Sequence, residues 1–193
     1  LGLTVAGSVL VAQHTGAEQP GEAEYAASQT VVFTLLAGAT VGAVGFAFVD
    51  ELLGVFGAEP VVLTLATDYM RIITAGLPFL FGFTVFVALM RGAGDTVTPM
   101  VVMLGTVVLN VALDPVLIFG WGPFPRLGGE GAAVATVFSR GSGTVVGIWI
   151  MLRGTHGIQI SPREMWPDPG YIRTLLRIGA PASLENTGRA ISI

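Results

Sequence analysis

The sequence predicts an all-α polytopic membrane protein, and three observations predict it. The 193 residues are 52% hydrophobic and only 11% charged, with a mean hydropathy of +0.76, whereas soluble domains carry about 25% charged residues. Apolar windows free of charge recur along the chain, at lengths close to the roughly 20 residues that a helix needs to cross a bilayer. The chain has 27 glycines and 11 prolines, a content high for soluble helices. Membrane helices tolerate that pattern because neighbouring groups re-satisfy the freed backbone.

The elements follow in order. LGLTVAGSVLVAQ, residues 1–13, is helical in composition, but about 20 Å of helix is too short to span. Residues 25–49 carry no charge and form the second helix. The third runs from Val61 to Met90, interrupted by Arg71 and Pro78. The fourth, 97–121, holds one charge, Asp114, and the fifth, 131–152, holds Arg140. A sixth begins near Tyr171. Polar connections are expected at 14–24, 50–60, 91–96, 122–130 and 153–170. The chain opens on Leu1 and stops at Ile193 within apolar stretches, and is expected to be a fragment of a longer polytopic protein.

Arginine placement sets the expected orientation. Alternate connections carry Arg91, Arg153, Arg163, Arg173 and Arg177, and Arg126 lies in a loop on the other side. The positive-inside rule then makes loops 14–24, 91–96 and 153–170 cytoplasmic in a multi-pass plasma-membrane protein. The stretch 153–170 reads as a hinge between two helical bundles.

Composition removes several classes of function. There is no cysteine, hence no thiol catalysis and no disulfide. All nine basic residues are Arg, and the acidic pI near 5.0 leaves no basic face for nucleic acid. His14 and His156 are isolated, which argues against a metal centre. RGAGDT lacks the GK[ST] ending of a phosphate loop. No paired catalytic constellation is present, so the chain reads as a transporter and not an enzyme.

Asp114 is the sharpest candidate. An ionised carboxylate at the bilayer centre costs about 3 kcal/mol, and such residues face cavities that handle protons, cations or charged substrates. Asn110 lies one helical turn before it, and Thr106 continues the same face. Pro115 leaves the Val111 carbonyl without its helical partner and places a free oxygen near the carboxylate. Tyr69 sits at the outer end of the third helix, where aromatic-belt residues gather. Asp68 and Arg71 are spaced to pair with each other. Arg140 lies too deep to snorkel and must face protein or water; a structural counter-charge is the simpler reading. Glu185 and Arg189, one turn apart in the last helix, read as an ion pair or a second cation site.

With these residues in hand, the chain resembles the multidrug and toxic compound extrusion (MATE) family. The resemblance rests on LVAQHTGA at 10–17, DYMRIITAGLPF at 68–79, ALMRGAGDTVTPM at 88–100, NVALDPVLIFGWGPFPRLGGEGAAVATVFSR at 110–140 and RIGAPASLEN at 177–186. It implies a two-lobed helical bundle. Of that bundle this chain supplies helices 2–6 of the N-lobe (1–152), a cytoplasmic inter-lobe link (153–170) and the start of helix 7, the first of the C-lobe (171–193). It implies a monomeric antiporter, without cofactor, that exports cationic or amphipathic compounds in exchange for Na+ or H+. The coupling ion would sit on Asp114 and Asn110, which serve as metal ligands if that ion is Na+, with Tyr69 and Thr136 lining the cavity and Glu185 in a possible C-lobe site. The family's first helix, which brings another Asp, is not in the chain, and the apolar run TVFVALM replaces a polar position common in relatives. A lipid-linked oligosaccharide flippase of the same superfamily is the alternative implied, with Arg140 and Arg189 as its basic residues.

Overall fold

The structure, a computed structural model, describes residues 2–55, 59–154 and 157–191, with side chains described as far as Pro181. Among the described residues eight helices follow one another: α1 (Gly2–Gly16), α2 (Pro20–Ala47), α3 (Val49–Gly54), α4 (Pro60–Ala75), α5 (Leu77–Gly92), α6 (Val97–Phe119), α7 (Gly129–Arg153) and α8 (Pro169–Ile191). A 3-10 turn, Pro162–Glu164, lies between α7 and α8. Among the described residues there is no strand, as expected for an all-helical membrane protein.

Proline opens α2, α4 and α8. Its fixed φ suits the first helical turn, and its missing N–H would be unpaired there anyway. Pro20 therefore extends α2 back through residues 20–24, where a polar connection was expected. The expected loop at 50–60 also gives way in part to helix. Asp50 and Glu51 occupy the first turn of α3, where carboxylates complement the positive end of the helix dipole.

Helices α2, α6 and α7 are each long and apolar enough to cross a membrane, and α4 with α5 makes a fourth candidate span bent by 51°. The sequence placed the interruption at Arg71 and Pro78. The chain runs helical through Arg71, and the break falls at Gly76, two residues before Pro78, which lies in the first turn of α5. A side chain at Gly76 would collide with Val137 of α7, so the bend is where α4 and α5 press against α7. Arg71 does not pair with Asp68. It reaches Asp50 of α3 at 2.7 Å, with both side chains substantially exposed, a pairing that contributes under about 1 kcal/mol.

Helix α5 is central, packing on α1, α2 and α7; α7 packs on α4, α5 and α6, α2 packs on α1, α4 and α5, and α8 lies along α1. The tight core gathers at one end of the bundle, where the 14–24, 91–96 and 153–170 connections come together. Phe86, Leu89 and Met90 of α5, Met151 of α7, Ile160 of the α7–α8 link and Leu175 of α8 are fully buried there. Glycine permits the closest helix approach: a side chain at Gly147 would overlap the Phe86 ring, and one at Gly143 would meet Thr106 and Phe83. Small residues at crossings are the usual route to tight packing inside membranes. Thr144 reinforces the α5–α7 seam by donating to the Phe79 carbonyl at 2.6 Å.

The α7–α8 link is fastened to α2. Gln29, almost completely buried, donates from Nε2 to the carbonyls of Glu164 and Trp166 and accepts from the Asp168 amide. Ser28 Oγ accepts from the Ser161 amide at 3.0 Å, and the Tyr25 hydroxyl donates to Asp168 Oδ2 at 2.7 Å.

Candidate cation-coupling site

Helix α6 runs unbroken through Pro115 and ends at Gly120, whose left-handed backbone (φ 73°) closes the helix. It touches the rest of the bundle chiefly along one seam with α7. Polar residues are concentrated in that seam. Thr106 and Asn110 of α6 meet Thr136, Ser139 and Arg140 of α7 around a small cavity of about 60 Å³. A water-sized probe needs roughly 10–15 Å³, so the cavity has room for a dehydrated cation or a few waters.

Asp114 stands one turn further along α6, half-buried, and does not itself line this cavity. It is joined to it through Asn110, whose Nδ2 donates to Asp114 Oδ1 across a long 3.4 Å. That distance is weak for a hydrogen bond and leaves the carboxylate lone pairs largely available. Thr106, buried, donates to the Met103 carbonyl at 2.7 Å and keeps its oxygen turned into the seam. Ser139 Oγ is buried with no hydrogen-bond partner. A buried hydroxyl left unsatisfied costs about 1–3 kcal/mol, which makes it a candidate donor or ligand for whatever enters. The backbone of α6 contributes as well: Pro115 has no N–H to offer the Val111 carbonyl.

The structure thus places Asn110 and Thr136 on one cavity, with Asp114 reaching it only through Asn110, and adds Ser139, which the sequence reading missed. The signal was there: Thr136, Ser139 and Gly143 fall at i, i+3 and i+7, one face of α7. Tyr69 is not brought in. It sits half-exposed on α4, which packs on α2 and α7 but makes no close approach to α6 among the described residues. Arg140 edges the cavity, yet its guanidinium is drawn away onto the Phe83 ring, 4.9 Å from the centroid. The side chains of Glu185 and Arg189, and His156, lie outside the described residues.

The MatE family profile matches residues 1–116. The chain belongs to the MatE family. It is 32% identical over 188 residues to the probable multidrug resistance protein YoeA of Bacillus subtilis (strain 168), an alignment covering 96% of this chain and 41% of that protein. It is 40% identical over 109 residues to the FAD transporter of Shewanella oneidensis, covering 56% of this chain and 24% of that one. In three dimensions this MatE chain superposes on the inward-facing conformation of a multidrug resistance MATE family transporter of the MOP superfamily with a TM-score of 0.83 at 29% identity, covering 95% of this chain and 41% of the other. The MatE chain therefore spans about two-fifths of the length of YoeA and of that transporter.

Proposed function

We propose that the chain forms most of one lobe of an alternating-access antiporter that exports cationic or amphipathic compounds in exchange for Na+ or H+. Asp114 would be the coupling residue. The observation that carries this reading is the α6–α7 seam: a carboxylate and an amide one turn apart, beside a cavity lined by three hydroxyl side chains. Elsewhere α6 is apolar and largely unburied by the chain. Asp114 lies inside the apolar span, about 8 Å from the end of α6, and a carboxylate within a span is costly to keep unless it is used.

Binding of the coupling ion at Asp114 neutralises the one charge on α6 and draws Asn110, Thr136 and Ser139 toward it. A Na+ ion suits the oxygen-rich seam, and a proton would use the carboxylate alone. Neutralisation changes the cost of exposing α6 to lipid or closing it on α7, which is how ion occupancy biases two arrangements of the lobe. The relatives' names span drugs and a flavin dinucleotide, so the substrate class is kept at amphipathic compounds. The flippase alternative gains nothing from these relatives.

The test is efflux of a fluorescent cation from liposomes carrying the full transporter, with Na+ and pH gradients imposed separately. Asp114→Asn is expected to reduce gradient-driven efflux at least about tenfold while membrane insertion is retained. Undiminished coupling in that variant would overturn the assignment.

A further inference from the structure

The segment joining α7 to α8 has the composition of a hinge and the contacts of a core. Ile158 and Ile160 are 4% and 0% exposed and share one apolar cluster with Val11 of α1, Leu89 of α5 and Met151 of α7. The Ile160 amide donates to the Met151 carbonyl at 3.1 Å, which turns the segment back onto the end of α7. Gln29 and Ser28 of α2 together bind four of its backbone groups, the Glu164 and Trp166 carbonyls and the Ser161 and Asp168 amides. Buried amides and carbonyls need such partners, and Gln29 is itself only 1% exposed. The attachment continues into α8. Asp168 accepts from the Tyr25 hydroxyl and from the Gly170 amide, both at 2.7 Å. Leu175 is fully buried, and Tyr171, Ile172 and Ile178 pack against the cluster. A side chain at Gly179 would strike the Gly2 carbonyl of α1. Helix α8 is therefore bound over its first ten residues, about 15 Å. Every one of these contacts is made within the chain, so further helices of a longer protein can cover them but are not needed to form them.

We propose that this segment is a strap and not the hinge: residues 158–178 travel with α1, α2, α5 and α7 as one body, and the two bundles part beyond Ile178. Boundaries between moving units fall where few contacts cross. A boundary at the strap would instead release four backbone hydrogen bonds and uncover Ile160 and Leu175 in every cycle. Shape supports the same division. The chain superposes over 95% of its length on an inward-facing multidrug resistance MATE family transporter, with a TM-score of 0.83. It superposes over 98% on an outward-facing one, with a TM-score of 0.86. A segment that swung away from the first bundle between those two states would not fit both nearly equally well. The inference rests on the alternating-access reading and moves the expected division between bundles from 153–170 to a point inside α8. The physical role of Gln29, Ser28 and Tyr25 is then to make the entry of the second bundle a fixed arm of the first.

The experiment uses the full transporter with any cysteines outside this chain replaced, since the chain itself contributes none. Tyr25→Cys and Asp168→Cys are combined and bridged by a short bis-methanethiosulfonate reagent, whose spacer takes the place of the tyrosine ring. Gradient-driven efflux from liposomes is expected to stay within about twofold of the same protein after reduction. A larger loss on bridging, reversed by reductant, would mean that the strap must leave α2 in each cycle and would overturn the proposal. The second measurement needs no transport and leaves the Tyr25–Asp168 pair intact. Spin labels are placed at Trp166, 86% exposed on the strap, and at Val44, exposed on α2. Val44 lies fifteen residues beyond Gln29 and hence about 22 Å along the helix, a span suited to double electron–electron resonance. In nanodiscs with Na+, without it and at lowered pH, one unchanged distance is expected. A second distance in any of the three samples would overturn the proposal. Absence of efflux even in the reduced protein would count against the antiport reading alone, and the label distance would still decide whether the strap stays tied.

Discussion

Asn110 decides how Asp114 can be used. The 3.4 Å contact between them is long enough to orient the carboxylate without consuming it, and Asn110 is the member of the pair that faces the α6–α7 cavity. Asn110→Leu removes both a ligand oxygen and the orienting donor. We expect the ion concentration for half-maximal efflux to rise about tenfold, with a smaller change in the rate at saturating ion, since ion-dependent efflux loses binding before it loses the carboxylate. An unchanged half-saturation would show that Asn110 is only a packing residue. The pair was legible in the sequence because an i, i+4 spacing on one helix is a local geometric fact. Arg71 shows the limit of that reasoning: its i−3 neighbour was Asp68, but its partner, Asp50, lies on α3, and helix placement in space is not encoded in spacing. Gly147 belongs to the same scale. A side chain there runs into the fully buried Phe86 at the α5–α7 crossing, so Gly147→Val should cost about 1–3 kcal/mol, read as a lowered melting temperature in detergent.

At the scale of the element, charge-free windows located the long helices well, because burial in lipid demands unbroken apolar runs. The bend at Gly76 falls two residues before Pro78, where the sequence placed an interruption, and the space beside it is filled by Val137 of another helix. The α7–α8 link is the larger lesson. Its Pro, Gly and charged residues read as a hinge between two bundles, and what that reading does not contain is that Gln29 and Ser28 hold its backbone from more than 130 residues away in the chain. Composition reports how a segment behaves alone and not which buried amide it finds. Gln29→Leu leaves the Glu164 and Trp166 carbonyls and the Asp168 amide without that partner. At roughly 1 kcal/mol per lost bond, tryptic cleavage at Arg163 should accelerate at least about tenfold, followed by gel under native conditions. Cleavage at the wild-type rate would show that the link is held by its apolar contacts, Ile158 and Ile160, instead.

For the whole molecule, the link is where the connections at one end of the bundle and the entry to α8 meet, and two carboxylates of opposite behaviour govern it. Glu164 is half-buried with Oε2 unpartnered; burial first, and then Glu24 and Glu22 of α2, raise its pKa. The hydrogen bond from Tyr25, and then that from the Gly170 amide, hold Asp168 below the usual carboxylate range. Tyr25 from α2 and Tyr171 from α8 complete the titratable surroundings, and their rings meet edge to face. The signs differ. Asp168 adds stability above its ordinary pKa, and that contribution disappears as pH falls through its lowered value. Glu164 favours the fold when protonated, and that contribution disappears as pH rises through its raised value. Docking of the link is therefore tightest in mildly acidic solution and weakens toward neutrality through Glu164. Glu164→Gln removes the neutral-side loss. The variant should melt higher than wild type at pH 7, and the gap should shrink as the pH is lowered into the range where wild-type Glu164 takes up its proton. A gap that stays constant with pH would mean that the glutamine acts by packing and that the Glu164 charge does not set how firmly α8 is joined to α2.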